Sequence, residues 1–245
     1  MGVAVLGDPA VSVRVRLGDA TDVFAVASGF GAIDGEPAAR ATLKRLRGEC
    51  ERRGRAERFH RTLRRQQSAI GSLLAIVAHV NAELFARSAS HDDYVTAGSS
   101  LTIVLRHRRR AYVAHAGGTA AYLSRAGYVV ALTQDDAIED GRILSRSIGT
   151  QSQIDASVCT FTFVDGDVLA LCTRRLRDED GRRRLATRLL DTAAGSAGDE
   201  CASIVRFSAD DAAEVPVARA AVAWPRAGTL VAAALFWVLA VWWIG

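Results

Sequence analysis

The stretch Gly166-Asp167-Val168-Leu169-Ala170-Leu171-Cys172-Thr173-Arg174-Arg175-Leu176 decides how this chain is read. Asp165-Gly166-Asp167 has the residue types of a tight hairpin turn. The apolar run after it has the length of one buried strand. That run ends on two adjacent cations, Arg174 and Arg175.

The pattern recurs earlier in the chain. Val11-Ser12-Val13-Arg14-Val15-Arg16-Leu17 alternates apolar and polar residues, which predicts a half-buried strand. Leu101 to Leu105, Ala111 to Ala116, Ala120 to Leu123 and Val158 to Val164 read the same way. Gly127-Tyr128 marks a further hairpin turn. Long helical patterns run from Glu36 to Arg58 and from Arg61 to Arg87. Strand runs with helices held in separate blocks predict an α+β architecture.

The chain has 245 residues, enough for one domain with a sizeable core. Its formal charge of +4 is small, and few aromatics interleave with the arginines, which argues against nucleic acid as a partner. Cys50, Cys159, Cys172 and Cys201 have no paired spacing, so neither a zinc site nor a disulfide framework is expected. Met1 to Ala10 lack the charged lead and long apolar run of a secretory signal. The domain is expected in the reducing cytoplasm.

Ala227 to Ile244 carries no charge. As a helix it would span about 27 Å, close to the roughly 30 Å hydrocarbon core of a bilayer. Trp224 precedes it, Trp242 and Trp243 close it, and Arg219 and Arg226 flank only its near side. This predicts a single-pass anchor with the amino-terminal domain in the cytoplasm. The expected organisation is a domain over 1–207, a linker over 208–226 and a carboxyl-terminal transmembrane helix over 227–245.

The opening stretch resembles the segment GD-x-LLLCSDGL of the metal-dependent protein phosphatases, the PPM-type or type 2C serine/threonine class. Further landmarks follow in the family's order. Phe24-Ala25-Val26-Ala27-Ser28-Gly29-Phe30-Gly31 is similar to FVVADGMG. Ala97-Gly98-Ser99-Ser100-Leu101 is similar to GTTL. Ala114-His115-Ala116-Gly117-Gly118-Thr119-Ala120-Ala121-Tyr122-Leu123 is similar to ANVGDSRAYLL. Leu132-Thr133-Gln134-Asp135-Asp136 resembles LTxDH, Leu144-Ser145-Arg146-Ser147-Ile148-Gly149 resembles LTRALG, and Asp199 to Arg206 resembles DNATAIVVR. Val13-Arg14-Val15-Arg16-Leu17-Gly18-Asp19 fits the spacing of VRxxNED. The resemblance implies two packed antiparallel sheets flanked by helices.

It also implies a site from which the acids are missing. Ser28, Gly118 and Arg174 stand at family metal-ligand positions, and Gly18 replaces the Glu of the amino-terminal motif. Gly29 keeps a backbone carbonyl and Asp199 keeps a carboxylate, a vestige of the metal set. Magnesium and manganese need several carboxylates to hold two close dications. Arg174 adds repulsion: unit charges about 4 Å apart interact by roughly 4 kcal/mol at an effective dielectric near 20, and a dication doubles that. No cofactor is therefore expected, and catalytic residues are not assigned. Arg14, Arg174 and Arg175 are candidates to grip a phosphate in place of metals.

The leading expectation is a membrane-tethered, catalytically inactive phosphatase-like module, a pseudophosphatase, that binds a protein partner such as a phosphoprotein or a kinase. An active magnesium- or manganese-dependent phosphatase would need a rearranged site, drawing on Asp19, Asp135, Asp199 or Glu200. A third alternative is a membrane-anchored scaffold that acts through its basic helix. Arg40, Lys44, Arg45, Arg47, Arg52, Arg53, Arg55 and Arg58, with Arg61, Arg64 and Arg65 beyond, make that region strongly cationic. Its readings are a solvated face, contact with anionic lipid, or docking to an acidic or phosphorylated partner. His91-Asp92-Asp93 reads as a polar loop, and His115 as a packed strand residue.

Overall fold

The computed structural model describes residues 5–6, 12–18, 20–33, 36–88, 97–138, 143–173 and 201–206. At 5–6, 137–138, 143 and 201–206 the description covers the backbone alone. Arg174, Arg175, Asp199, His91-Asp92-Asp93, the expected linker and the expected anchor lie outside the described residues.

In chain order the elements are β1 (Val5–Leu6), β2 (Ser12–Gly18), β3 (Thr21–Phe30), β4 (Ala32–Ile33), β5 (Glu36–Pro37), α1 (Ala38–Gly54), α2 (Glu57–Thr62), α3 (Gln66–Ser88), β6 (Gly98–His107), β7 (Arg110–Ala116), β8 (Ala120–Arg125), β9 (Tyr128–Ala131), β10 (Ala137–Ile138), β11 (Ile143–Leu144), β12 (Ser157–Thr162), β13 (Val168–Cys172) and β14 (Cys201–Arg206). Two five-stranded antiparallel sheets result, in the orders β12-β7-β6-β3-β2 and β1-β14-β13-β8-β9.

Period-two alternation sorts β3 between two cores. Val23, Ala25 and Ala27 face the helices and pack with Leu46 of α1 and Leu73 and Ile76 of α3. Phe24 and Val26 face the second sheet and meet Val104, Val113, Leu123, Leu169 and Leu171. A strand buried on both faces reads as a near-continuous apolar run, as Val23 to Ala27 does.

The first helical pattern divides in two. Pro37 caps α1, and the helix ends at Gly54 because Ala56 is extended, with φ −91° and ψ 120°. Gly54 leaves room for Leu17, whose Cδ2 lies 2.8 Å from where a Cβ would stand. His60 of α2 donates from Nε2 to the Gly54 carbonyl at 2.7 Å and closes the break.

Asp165-Gly166-Asp167 forms a turn, with Gly166 at φ +83°, but not a hairpin. It joins β12 of one sheet to β13 of the other. Asp167 is fully buried there. Its carboxylate accepts from Val164 N at 2.8 Å and, at 2.8 and 2.7 Å, from Nε and a terminal nitrogen of Arg125. Arg125 also donates to the Thr162 carbonyl at 2.8 Å. The hydrogen bond to Asp167 raises the Arg125 pKa further. One ion pair thus ties the end of β8 to the corner between the sheets.

The two partners differ in exposure: the Asp167 side chain is 0% exposed and that of Arg125 is 43% exposed. Arg125→Ala leaves a buried carboxylate without its cation and should cost roughly 3–5 kcal/mol. Asp167→Ala lets Arg125 return to water and should cost less, roughly 2–3 kcal/mol. Urea unfolding of both variants checks the order, and a larger loss in Asp167→Ala would refute it.

Candidate functional site

The site is built around Ser100. β3 and β6 run out side by side, with Ser28 opposite Ser100 and Gly29 opposite Ser99. β7 leaves the same sheet at Ala116, and Gly117-Gly118-Thr119 carries the chain across to β8 of the second sheet. This crossover rests on Ser100, whose Oγ accepts from Gly118 N at 2.8 Å. Gly117 has φ +103°, and a Cβ on it would stand 2.3 Å from Ser100 Oγ. Only glycine fits such an approach. Ser28 and Gly118 therefore flank one residue at the mouth between the sheets.

Asp136 locks the crossover from the other side. Its Oδ2 accepts from Gly117 N at 2.8 Å, and its own N donates to the Gly117 carbonyl at 3.2 Å. Its Oδ1 accepts from Arg146, which also donates to Ser157 Oγ at 2.7 Å and the Asp155 carbonyl at 2.6 Å. His115 lies beneath, with Nε2 3.8 Å from Asp136 Oδ2. Its Nδ1 is 2.9 Å from Thr102 Oγ1, which is 2.8 Å from Thr119 Oγ1. Burial lowers the His115 pKa, and the nearby Asp136 carboxylate only partly offsets this. Burial thus disfavours the protonated form of His115.

Among the described residues few acids stand around Ser100. Asp135 Oδ1 lies 3.9 Å from where a Cβ on Gly118 would stand, and Leu144 Cδ2 lies 3.5 Å from it. Asp135 is thus, among the described residues, a carboxylate that reaches the space before Gly118. Asp136 is committed to Arg146 and Gly117 N. Ser28 and the Gly29 carbonyl are neutral. Among the described residues no three His, Cys, Asp or Glu side chains gather where they could hold an ion. The described residues of the mouth do not fit a magnesium or manganese pair.

Comparison with known proteins agrees with this architecture. No family model matches the chain, and no curated protein matches it. Solved structures do. PppA, a key regulatory component of T6SS in Pseudomonas aeruginosa, superposes with a TM-score of 0.62 at 18% identity, covering 84% of this chain and 96% of that one. A bacterial serine phosphatase superposes with a TM-score of 0.62 at 16% identity, covering 86% and 99%. Serine/threonine phosphatase Stp1 from Staphylococcus aureus gives 0.59 at 15% identity, covering 83% and 93%. The chain has the PPM-type phosphatase fold.

Within the PPM fold the predicted site residues separate. Ser28 and Gly118 come together across Ser100. Gly29 is pressed by α1: a Cβ there would stand 2.7 Å from Ala39 N and 3.0 Å from the Gly98 carbonyl. Gly18 does not belong to the mouth. It pairs with Thr21 at the far end of the β2–β3 hairpin, about seven residues and roughly 23 Å along the strand from Ser28. β3 pairs antiparallel with β2 from this end and runs away from it toward Ser28, so the spacing of the amino-terminal motif does not return that position to the mouth.

Arg14 is also placed elsewhere. It pairs with Phe24 on the β2–β3 ladder. Its Nε and a terminal nitrogen donate to Asp22 Oδ1 at 3.2 and 3.0 Å, and its guanidinium lies 5.6 Å from the Phe24 ring centroid. Arg106, buried beside it, binds the other oxygen of Asp22. Arg14 therefore grips a carboxylate of its own sheet rather than a phosphate in the mouth. The sequence reading missed Ser100, Asp136 and Arg146 as a unit. All three lay inside the quoted motifs, but only the fold brings those motifs into contact.

Two outcomes follow from this geometry. Gly117→Ala places a methyl group against Ser100 Oγ in a strained backbone region and should cost roughly 3 kcal/mol. Ser100→Gly in the same chain should recover part of that loss in urea unfolding. Below the ordinary His value of 6.5 the unfolded chain takes up a proton that buried His115 resists. Stability should fall as pH drops from 6.5 to 5, by at most about 1.4 kcal/mol per pH unit for this group. The slope should shrink in His115→Gln. An unchanged slope would show that His115 is not its source.

Proposed function

We propose that this chain is a pseudophosphatase module, a PPM fold that binds a protein partner without phosphoryl transfer. The observation that carries the reading is the meeting of Ser28 and Gly118 across Ser100, with Asp136 committed to Arg146. Among the described residues, three of the groups around the mouth are neutral, and Asp136 is paired with Arg146. Arg174, which replaces a further acid in the sequence, extends the same loss. The partner is a protein, with a phosphoprotein or a kinase as the chemical class that the fold's ancestry suggests. Arg174 and Arg175 supply cations for a phosphate group. The segment 227–245 tethers the module to a membrane, with the domain on the cytoplasmic side. That tether rests on its uncharged length and flanking tryptophans.

The full-length protein should show no manganese- or magnesium-dependent hydrolysis of p-nitrophenyl phosphate or a phosphopeptide, and manganese titration calorimetry should give no binding heat. Ser28→Asp with Gly118→Asp and Arg174→Asp should create measurable manganese affinity, since a Cβ at 118 meets nothing closer than 3.5 Å. A specific observation favours one rival: Asp135 approaches the space before Gly118, as a rearranged metal site would require. Metal-dependent turnover in the natural chain, abolished by Asp135→Ala or Asp199→Ala, would establish that rival and overturn the proposal. Extraction without detergent should leave the full chain in the membrane pellet; recovery in the supernatant would remove the tether.

A further inference from the structure

α1 places Arg40, Lys44 and Arg47 at i, i+4 and i+7, on one side of the helix. That side borders β2, the last strand of its sheet among the described residues. A groove of about 270 Å³ lies there, lined by the three cations together with Val13, Leu43 and Glu36. It opens on the helix side of the sheet, whereas Ser28 and its partner Ser100 lie on the side facing the second sheet.

The cations of α1 are not treated alike. On its other flank Arg45 pairs with Glu83 of α3, and Arg52 and Arg53 pair with the buried Glu49. At the groove Lys44 reaches Glu36 at 3.4 Å, while Arg40 and Arg47 are exposed and meet no acid among the described residues. A solvated helix face would mix its signs; here three cations converge on a concave surface with one carboxylate. Like charges on neighbouring turns repel, so the cluster costs stability until an anion enters.

The geometry points to the class of anion. Arg40 and Lys44 are about 6 Å apart along the helix axis, and Lys44 and Arg47 about 4.5 Å. Side chains on one face of an extended chain repeat about every 6.6 Å. A concave site beside a sheet edge suits a strand-like chain better than the flat face of a bilayer. We infer that this groove docks an extended acidic segment of a protein partner, with Asp or Glu at alternate positions. The inference deepens the partner-binding reading and rests on it only for the existence of a partner.

The test uses the full-length chain in neutral detergent and a fluorescent synthetic peptide with Glu and Thr alternating. Fluorescence anisotropy should show salt-sensitive binding. Arg40→Glu with Arg47→Glu should weaken it about tenfold, as the loss of two exposed ion pairs implies. Arg58→Glu with Arg61→Glu, exposed on α2, should leave it within about twofold. A peptide of the same composition with its acids grouped at one end should bind less well. Equal weakening by both charge reversals, or equal binding of both peptides, overturns the inference. So does binding of soluble short-chain phosphatidylserine that Arg40→Glu with Arg47→Glu abolishes while the peptide does not bind. If the reversed chain misfolds, Arg40→Gln with Arg47→Gln serves in the same comparison. Failure of the pseudophosphatase reading would appear separately, as metal-dependent turnover that these variants leave unchanged.

Discussion

A carboxylate taken out of water needs a cation beside it, and this constraint runs through the structure. Among the described residues the buried acids are Asp22, Glu49, Asp136 and Asp167. Each is held by arginine: Asp22 by Arg14 and Arg106, Glu49 by Arg52 and Arg53, Asp136 by Arg146, and Asp167 by Arg125. Burial pushes the Glu49 pKa up, yet the hydrogen bonds from Arg53 and Arg52 and the Arg53 charge outweigh it and bring it below the ordinary value. Removing one partner would strand a charge in a poor solvent, which is why such pairs hold their surroundings in place.

The same constraint shapes the mouth. A metal-dependent phosphatase keeps carboxylates uncommitted so that dications can take them. Here Asp136 is buried, and its charge is spent on Arg146 and on the backbone of the crossover. The crossover in turn depends on Gly117 lying close against Ser100. The mouth keeps the framework of the PPM fold while the charges around it are arranged to hold the protein together. On the far side of the sheet the balance is reversed: Arg40 and Arg47 meet no acid among the described residues. The two surfaces thus offer different electrostatics on opposite faces of one sheet.

Much of the fold was legible in residue order. The alternation in Ser12 to Leu17, and the apolar runs around Val104 and Val113, became β2, β6 and β7 because half-buried and doubly buried strands leave different periodic marks. The split of the first helix was only half legible: Gly54 after Arg52 and Arg53 is a helix stop signal, but the break is completed by Leu17 and His60 packing against Gly54. The turn at Gly166 was legible as a turn. Its role as a sheet-to-sheet corner was not, because local turn chemistry is the same whether the next strand pairs with the last one or leaves it. Gly18 shows the matching limit at the site: a motif spacing places a residue along a strand but does not say which end of the sheet that strand returns to.

The sequence by itself determined the residue types: which positions lack acids, where the strands alternate, and how many cations α1 carries. These follow from composition and period, which are local. The tertiary structure decided what those residues face. It set Ser28 and Gly118 on either side of Ser100, and gave Arg146 to Asp136 and Arg14 to Asp22. It also divided the arginines of α1 between paired and open flanks. These are contacts between segments far apart in the chain, set by sheet order and register, and no local pattern encodes them.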